Sequence, residues 1–206
     1  VYGDGSLGFK DDDSKEALSK LRPLSPLAWT KLFIDRKIVD LADRDLPVPP
    51  QWVGFRFFNL YGPNEYHKTR HQSIVPLIYS SVKSGKLFPL FKSENPAYKD
   101  GDQMRDFMWI EDCVDVILWF LEHPEISGIF NVGTGQARTY ADLLRAVYAA
   151  MGEKPEMDFI DLPADIKGKY QYFTQADIQK LRAAGYTKPF TSLEEGVAKY
   201  VKDYLN

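Results

Sequence analysis

The chain lacks much of what would commit it to several familiar classes. It has one cysteine, Cys113. An internal disulfide framework is therefore excluded, and a reducing, cytosolic setting is expected. It has only three histidines. His67 and His71 stand at helical i,i+4 spacing with Glu65 close by, but Lys68, Thr69 and Arg70 between them bring two positive charges and no further ligand. A metal centre is not expected there. Neither sign of charge dominates: 26 Lys and Arg against 29 Asp and Glu leave a formal net charge of -3. With no basic stripe either, nucleic acid is not an expected partner. No apolar run approaches the roughly 18 residues of a membrane helix, and no signal or lipidation motif is recognisable. An initiator methionine is also missing. The opening Val1-Tyr2-Gly3 reads as the end of a strand entering a loop, so a trimmed N-terminus or an absent preceding domain is expected.

What is present is an ordinary globular composition, 44% hydrophobic and 27% charged. Its focal stretch begins with Val53, Phe55, Phe57 and Phe58, apolar with little alternation, as in a parallel strand covered on both faces. That strand is expected to break at Asn59, and Tyr61-Gly62-Pro63 to make a turn. A dense polar loop follows, with Asn64, Glu65, His67, Lys68 and Arg70. Ligands of open α/β sheets bind beyond the carboxyl ends of strands, so chemistry is expected here.

Elsewhere, residues 3–24 read as a polar loop. Its Asp11-Asp12-Asp13 run lacks the ligand spacing of a calcium loop and is expected to be solvated. Ser25-Pro26 predicts a helix start and Asp45 to Pro50 its end. Helices are also predicted from Ser73 to Gly85, from Glu111, over 140–151 behind a Thr139 cap, over 176–184 behind a Thr174 cap, and over 192–205. Strands are predicted at 87–91, 105–110, 128–132 and 157–160. Cys113 lies between Asp112 and Asp115, which oppose a thiolate, so it reads as structural. Gly133-x-Gly135 is followed by Arg138 where a dinucleotide fingerprint has Gly or Ala, and reads as a tight turn. Strands alternate with helices, giving the α/β class.

Lys68, Arg70, Lys92, Arg105, Lys167 and Lys169 fall in or beside loops near strand ends. Each alone is an ordinary solvated charge. Together they suit a phosphate-bearing ligand, with Tyr98, Tyr170 and Tyr172 available to stack on a base or sugar.

Three segments, Gly54-Phe-Arg-Phe-Phe-Asn-Leu-Tyr-Gly-Pro, Arg105-Asp-Phe-Met-Trp-Ile-Glu-Asp and Phe130-Asn-Val-Gly-Thr-Gly, resemble the second half of extended short-chain dehydrogenase/reductases acting on nucleotide sugars. Pro63-Asn-Glu-Tyr-His-Lys68, Leu90-Phe-Lys-Ser93 and Lys167-Gly-Lys-Tyr-Gln-Tyr-Phe-Thr-Gln-Ala-Asp177 are similar to the ADP-heptose 6-epimerase branch, which supplies heptose for bacterial lipopolysaccharide. The resemblance implies the back part of a Rossmann-type parallel sheet plus a smaller α/β substrate-binding domain. Residues 1–60 would be the remainder of the dinucleotide-binding domain, and 61–206 mainly the substrate domain, with later segments returning to the first.

It further implies NADP, or NAD, taking hydride from C6″ of an ADP-sugar and returning it to the other face. Lys31 and Leu60 would contact the cofactor, as would Lys68, which would also be the catalytic base in a partly dry pocket. Asn59, Arg70, Phe91, Lys92, Ser93, Arg105 and Tyr170 would bind substrate. Leu27 occupies the tyrosine position of the Tyr-x-x-x-Lys motif that ends at Lys31. One of two proton-handling groups is thereby replaced, and a non-catalytic ADP-sugar-binding or interaction module stands as the alternative. A large apolar face on the sheet and a homo-oligomer are also expected.

Overall fold

Local sequence sets the first long helix. The Ser25 hydroxyl accepts from the Ala28 N–H at 3.2 Å, Pro26 occupies the first turn, and α2 (Pro26–Asp43) buries Leu32 and Val39. The computed structural model describes every residue except Asp45, Asp165 and Lys169, and the backbone alone of Arg70. A shorter helix, α1 (Lys15–Lys20), precedes α2 within the stretch expected to be loop; Ser14 caps it and Leu18 buries it against α2.

The focal strand does not end at Asn59. β1 (Val53–Phe57) runs parallel to Gly128–Val132, and Phe58 N–H donates to the Val132 carbonyl at 3.0 Å. The chain then changes neighbour: β2 (Asn59–Tyr61) pairs in parallel with Phe107–Trp109. The polarity of Asn59 marks an exchange of partner, which a single strand's pattern cannot reveal. Past the 3-10 turn Tyr66–His71, α3 (Ile74–Lys83) and β3 (Pro89–Phe91) lead to β4 (Met104–Trp109). Helix α4 (Ile110–Glu122) and β5 (Gly128–Val132) follow, then β6 (Ala137–Thr139), antiparallel to β4 and absent from the sequence reading. Helix α5 (Tyr140–Met151) begins with a full Thr139–Asp142 capping box and ends at Gly152 in the left-handed region. The chain closes with β7 (Asp158–Ile160), parallel to β3, then α6 (Gln179–Ala183) and α7 (Leu193–Tyr200), the last extended by a π-turn over Val201–Leu205.

β4 is the hub. Phe107 and Trp109 point into one core with Tyr61, Val75, Leu143, Val147, Val197 and Tyr200. Met108 points into another with Val116, Phe120, Phe130 and Leu181. This is the two-residue period of a strand covered on both sides. Exposed apolar side chains gather on α2, where Leu27 and Phe33 are each 68% exposed and Ile34 is 64% exposed, and at Phe57 beside it. The expected apolar face is thus mainly helical.

Two further expectations are corrected. The acidic run is solvated only at Asp12: Asp11 is buried and accepts from Asn131 N–H at 2.8 Å, while half-buried Asp13 accepts from Ile129 N–H at 3.0 Å and pairs with Lys180 at 2.6 Å. Two carboxylates therefore occupy alternate N–H groups along the outer edge of β5, closing it to other strands. Thr174 is not a helix cap; it is buried, its N–H bonds to the Met104 carbonyl, and α6 starts only at Gln179. The Gly133–Gly135 turn, by contrast, is tight as expected, because Asp106 collects its N–H groups. Burial pushes the Cys113 thiol up to about 11, in keeping with a structural role.

Candidate functional site

Helix α2, strand β1 and the first residues line an open cavity of about 710 Å³. Its wall is held by charge. Arg56, 8% exposed, pairs with Asp35 at 2.9 Å and donates to the Tyr2 hydroxyl at 3.0 Å. That hydroxyl in turn donates to Asn131 Oδ1. Burial raises the Tyr2 phenol to about 12, so Tyr2 is a fixed neutral donor and no proton acceptor near neutrality. Lys31 lines the same cavity, and among the described residues it makes no ion pair. Leu27, one helical turn before it, lines the mouth with an apolar side chain.

Asn59 belongs to this cavity and to a second one of about 230 Å³, bounded by Leu60, Gln72, Ser73, Phe107 and Tyr140. This second cavity lies between the end of β2 and the first turn of α3. That helix start already holds an anion, the Glu65 carboxylate, which accepts from the Ser73 N–H at 2.6 Å.

Beyond it stands an aromatic bench. The Arg105 guanidinium lies 5.6 Å from the Tyr140 ring centre and 5.3 Å from that of Tyr170, and donates to the Met104 carbonyl. Phe91 and Tyr172 meet Tyr170 edge-on, and Tyr98 lies against Tyr172. Burial, outweighing Arg105, raises the Tyr170 phenol well above its ordinary range. Tyr170 and Tyr172 line two grooves of about 430 and 310 Å³. Tyr140, the first residue of α5, joins this bench to the second cavity. No local signal could have found it, since its position depends on β4 pairing with β6.

The predicted residues thus form two groups. Lys31, Asn59 and Leu60 gather around the cavities, and Phe91, Arg105 and Tyr170 on the bench. Lys92 pairs with Asp161 at 3.1 Å, and Lys167 with Glu94. Ser93 donates its hydroxyl to the Asn95 carbonyl and its N–H to Asp100. Lys68 rides an exposed turn and does not line either cavity, so the expected half-dry setting is not found. The Arg70 side chain and Lys169 lie outside the described residues. Among the described residues no three His, Cys, Asp or Glu side chains converge as metal ligands.

A profile described as "NAD dependent epimerase/dehydratase family" matches residues 1–133. The chain belongs to that family. Members named ADP-L-glycero-D-manno-heptose-6-epimerase are 45% identical to it, in Nitratidesulfovibrio vulgaris (strain DP4) over 205 residues and in Fusobacterium nucleatum over 211. All of this chain is covered, against 61% and 62% of those proteins, so it spans about three fifths of their length. Among solved family structures, the Helicobacter pylori enzyme of the same name aligns with a TM-score of 0.68 at 26% identity, over 88% of this chain and 51% of that one. Thermus thermophilus UDP-glucose 4-epimerase, solved with NAD, aligns with a TM-score of 0.72 at 25% identity, over 98% and 59%. The fold is α/β of the Rossmann type seen in epimerases of the family. No helix among the described residues is long and apolar enough to cross a membrane.

Proposed function

We propose that the chain is the substrate side of an NADP-dependent ADP-heptose 6-epimerase, with NAD as the other possible cofactor. The observation that carries this is Asn59, shared between the Lys31 cavity and the cavity at the start of α3. An epimerase that oxidises and re-reduces one carbon needs cofactor and sugar side by side at such a boundary. Residues 1–60, with β5 returning to them, would form the cofactor side, and 61–206 mainly the substrate side.

The larger cavity fits a dinucleotide in size and in presenting an unpaired lysine. A nicotinamide cofactor bound there supplies hydride acceptance and return at C6″ of the heptose. Lys31 would hold its ribose hydroxyls and Leu60 would pack against it. Asn59 would orient the sugar hydroxyls. Arg105, fixed between two tyrosines, would meet a phosphate or the adenine face, with Phe91, Ser93 and Tyr170 closing the pocket. Lys92 and the Arg70 guanidinium would add charge, Lys92 after leaving Asp161. Lys68 would reach the sugar from the 3-10 turn and exchange its proton there.

Leu27 supports a second reading. It gives the mouth of the cavity no hydroxyl, and Tyr2 is committed to Asn131 and Arg56. An ADP-sugar-binding module without turnover would have this arrangement. Exposed Leu27, Phe33 and Ile34 on α2 support self-association, and the buried lone thiol suits the cytosol.

Calorimetry with ADP-glycero-manno-heptose tests the site, and interconversion of its C6″ epimers with added NADP tests turnover. Binding lost in Arg105→Ala supports the site. Binding without epimer exchange selects the module, and no binding at all rejects both readings.

A further inference from the structure

Glu65 is 6% exposed and its carboxylate has three donors. The Ser73 N–H reaches Oε2 at 2.6 Å, the Ser73 hydroxyl reaches Oε1 at 2.5 Å, and the Tyr200 hydroxyl reaches Oε1 at 3.2 Å. A buried carboxylate is tolerated only when so satisfied. The side chain therefore closes residues 66–72 into a loop whose two ends are tied together. Lys68 and Thr69 lie at its apex, and Lys68 N–H bonds back to the Glu65 carbonyl at 3.0 Å.

The apex is strained. Thr69 sits at φ 45°, ψ -101°, a region that a β-branched residue avoids. Such a conformation persists only where its surroundings impose it. Those surroundings come from the C-terminal helix. Tyr200 is fully buried, with its phenol pushed up by burial and then by the Glu65 carboxylate, and Tyr66 donates to the Tyr204 carbonyl at 3.4 Å. Gly196 lets α7 lie directly on Tyr61, where any Cβ would strike the phenol oxygen. Thus α7 rests on the strand that carries Asn59 and, one turn later, grips the loop that carries Lys68.

We infer that Glu65, held by Tyr200, is a positioning residue: it fixes the loop that presents Lys68 to the ligand. This rests on the proposed ADP-sugar site. The same Glu65 also holds Ser73, which lines the Asn59 cavity, so one carboxylate sets the loop against that cavity.

The test is a double-mutant cycle on the 206-residue chain, with Tyr200→Phe, Lys68→Met and the pair. Affinity for ADP-glycero-manno-heptose is read by calorimetry, and loop opening by amide hydrogen exchange. Tyr200→Phe keeps the packing and removes only the hydroxyl. It is expected to speed exchange across residues 66–71 by about tenfold while α5 keeps its protection. It is expected to weaken binding about tenfold in the native background and not at all beside Lys68→Met. Glu65→Gln should reproduce both effects. Unchanged exchange in the loop overturns the clamp. Equal loss of affinity in both backgrounds shows a structural role only and overturns the inference. An affinity unaffected by Lys68→Met, or absent from the unsubstituted chain, overturns the ligand role of Lys68, while loop exchange still decides the clamp.

Discussion

Asp106 and Thr134 are bonded twice: Asp106 Oδ1 accepts from the Thr134 N–H at 2.8 Å and from its hydroxyl at 2.6 Å. Oδ2 accepts from the N–H groups of Gly135 at 2.9 Å and Ala176 at 3.0 Å. Burial raises this carboxyl, and these donors act against the rise. Asp106→Asn would turn an amide NH2 toward one pair of donors. It should cost about 2–3 kcal/mol of stability, read from urea denaturation.

Arg105 offers a test at the aromatic bench. Lysine at this position keeps the charge but loses the broad guanidinium that lies 5.6 Å and 5.3 Å from the Tyr140 and Tyr170 ring centres. Arg105→Lys should lower ADP-glycero-manno-heptose affinity about tenfold by calorimetry. Unchanged affinity would remove Arg105 from the site.

Leu27 is 68% exposed, so its replacement should leave the fold intact. Leu27→Tyr is expected to shift stability by no more than about 0.5 kcal/mol. If the missing phenol is what limits turnover, the variant with NADP should gain epimer exchange, followed by proton NMR of the heptose. Binding without any gain would favour the module reading.

These sites differ in how far the sequence reveals them. Ser25, Thr139 and Ser192 each accept the N–H three residues on, a contact the sequence pattern alone implies, and α5 runs over the predicted residues. Asn59 looked like a strand end because its partner, Phe107, is far along the chain. Asp11 and Asp13 looked solvated because their donors lie on β5, more than a hundred residues away. Arg105 stands out already in the cluster of cations near strand ends and Lys31 through motif resemblance, whereas Tyr140 and Glu65 matter through tertiary neighbours. Local chemistry is legible from the chain, and long-range pairing is not.

Gly196 packs on Tyr61 with no room for a methyl group, and Trp109 lies close on the same side. Gly196→Ala should push α7 off β2 and cost about 1–3 kcal/mol despite its better helix propensity. A thermal melt would register this as a lowered Tm. A stabilised variant would show that the helix can shift freely.

Acid should weaken the contact between α7 and β6. A hydrogen bond from Arg138 holds the Glu194 carboxyl below its usual value. For Asp142, burial acts upward, but bonds from Thr139 and Arg138 outweigh it and leave the carboxyl low. Both groups are depressed on folding, so their stabilisation is complete above the unfolded pKa and fades as pH falls through the folded one. Melting temperature should therefore drop below about pH 4, and the Glu194→Gln curve, lower at pH 7, should converge on the native one at the acid end.

The carboxylates of Asp11 and Asp13 make the β1–β5 pair one-sided. With β5 sealed, a newcomer strand has only the β1 flank to join. Residues 54–59 on that flank are also the wall of the Lys31 cavity. A strand pairing along that flank would therefore also cover the wall of this cavity.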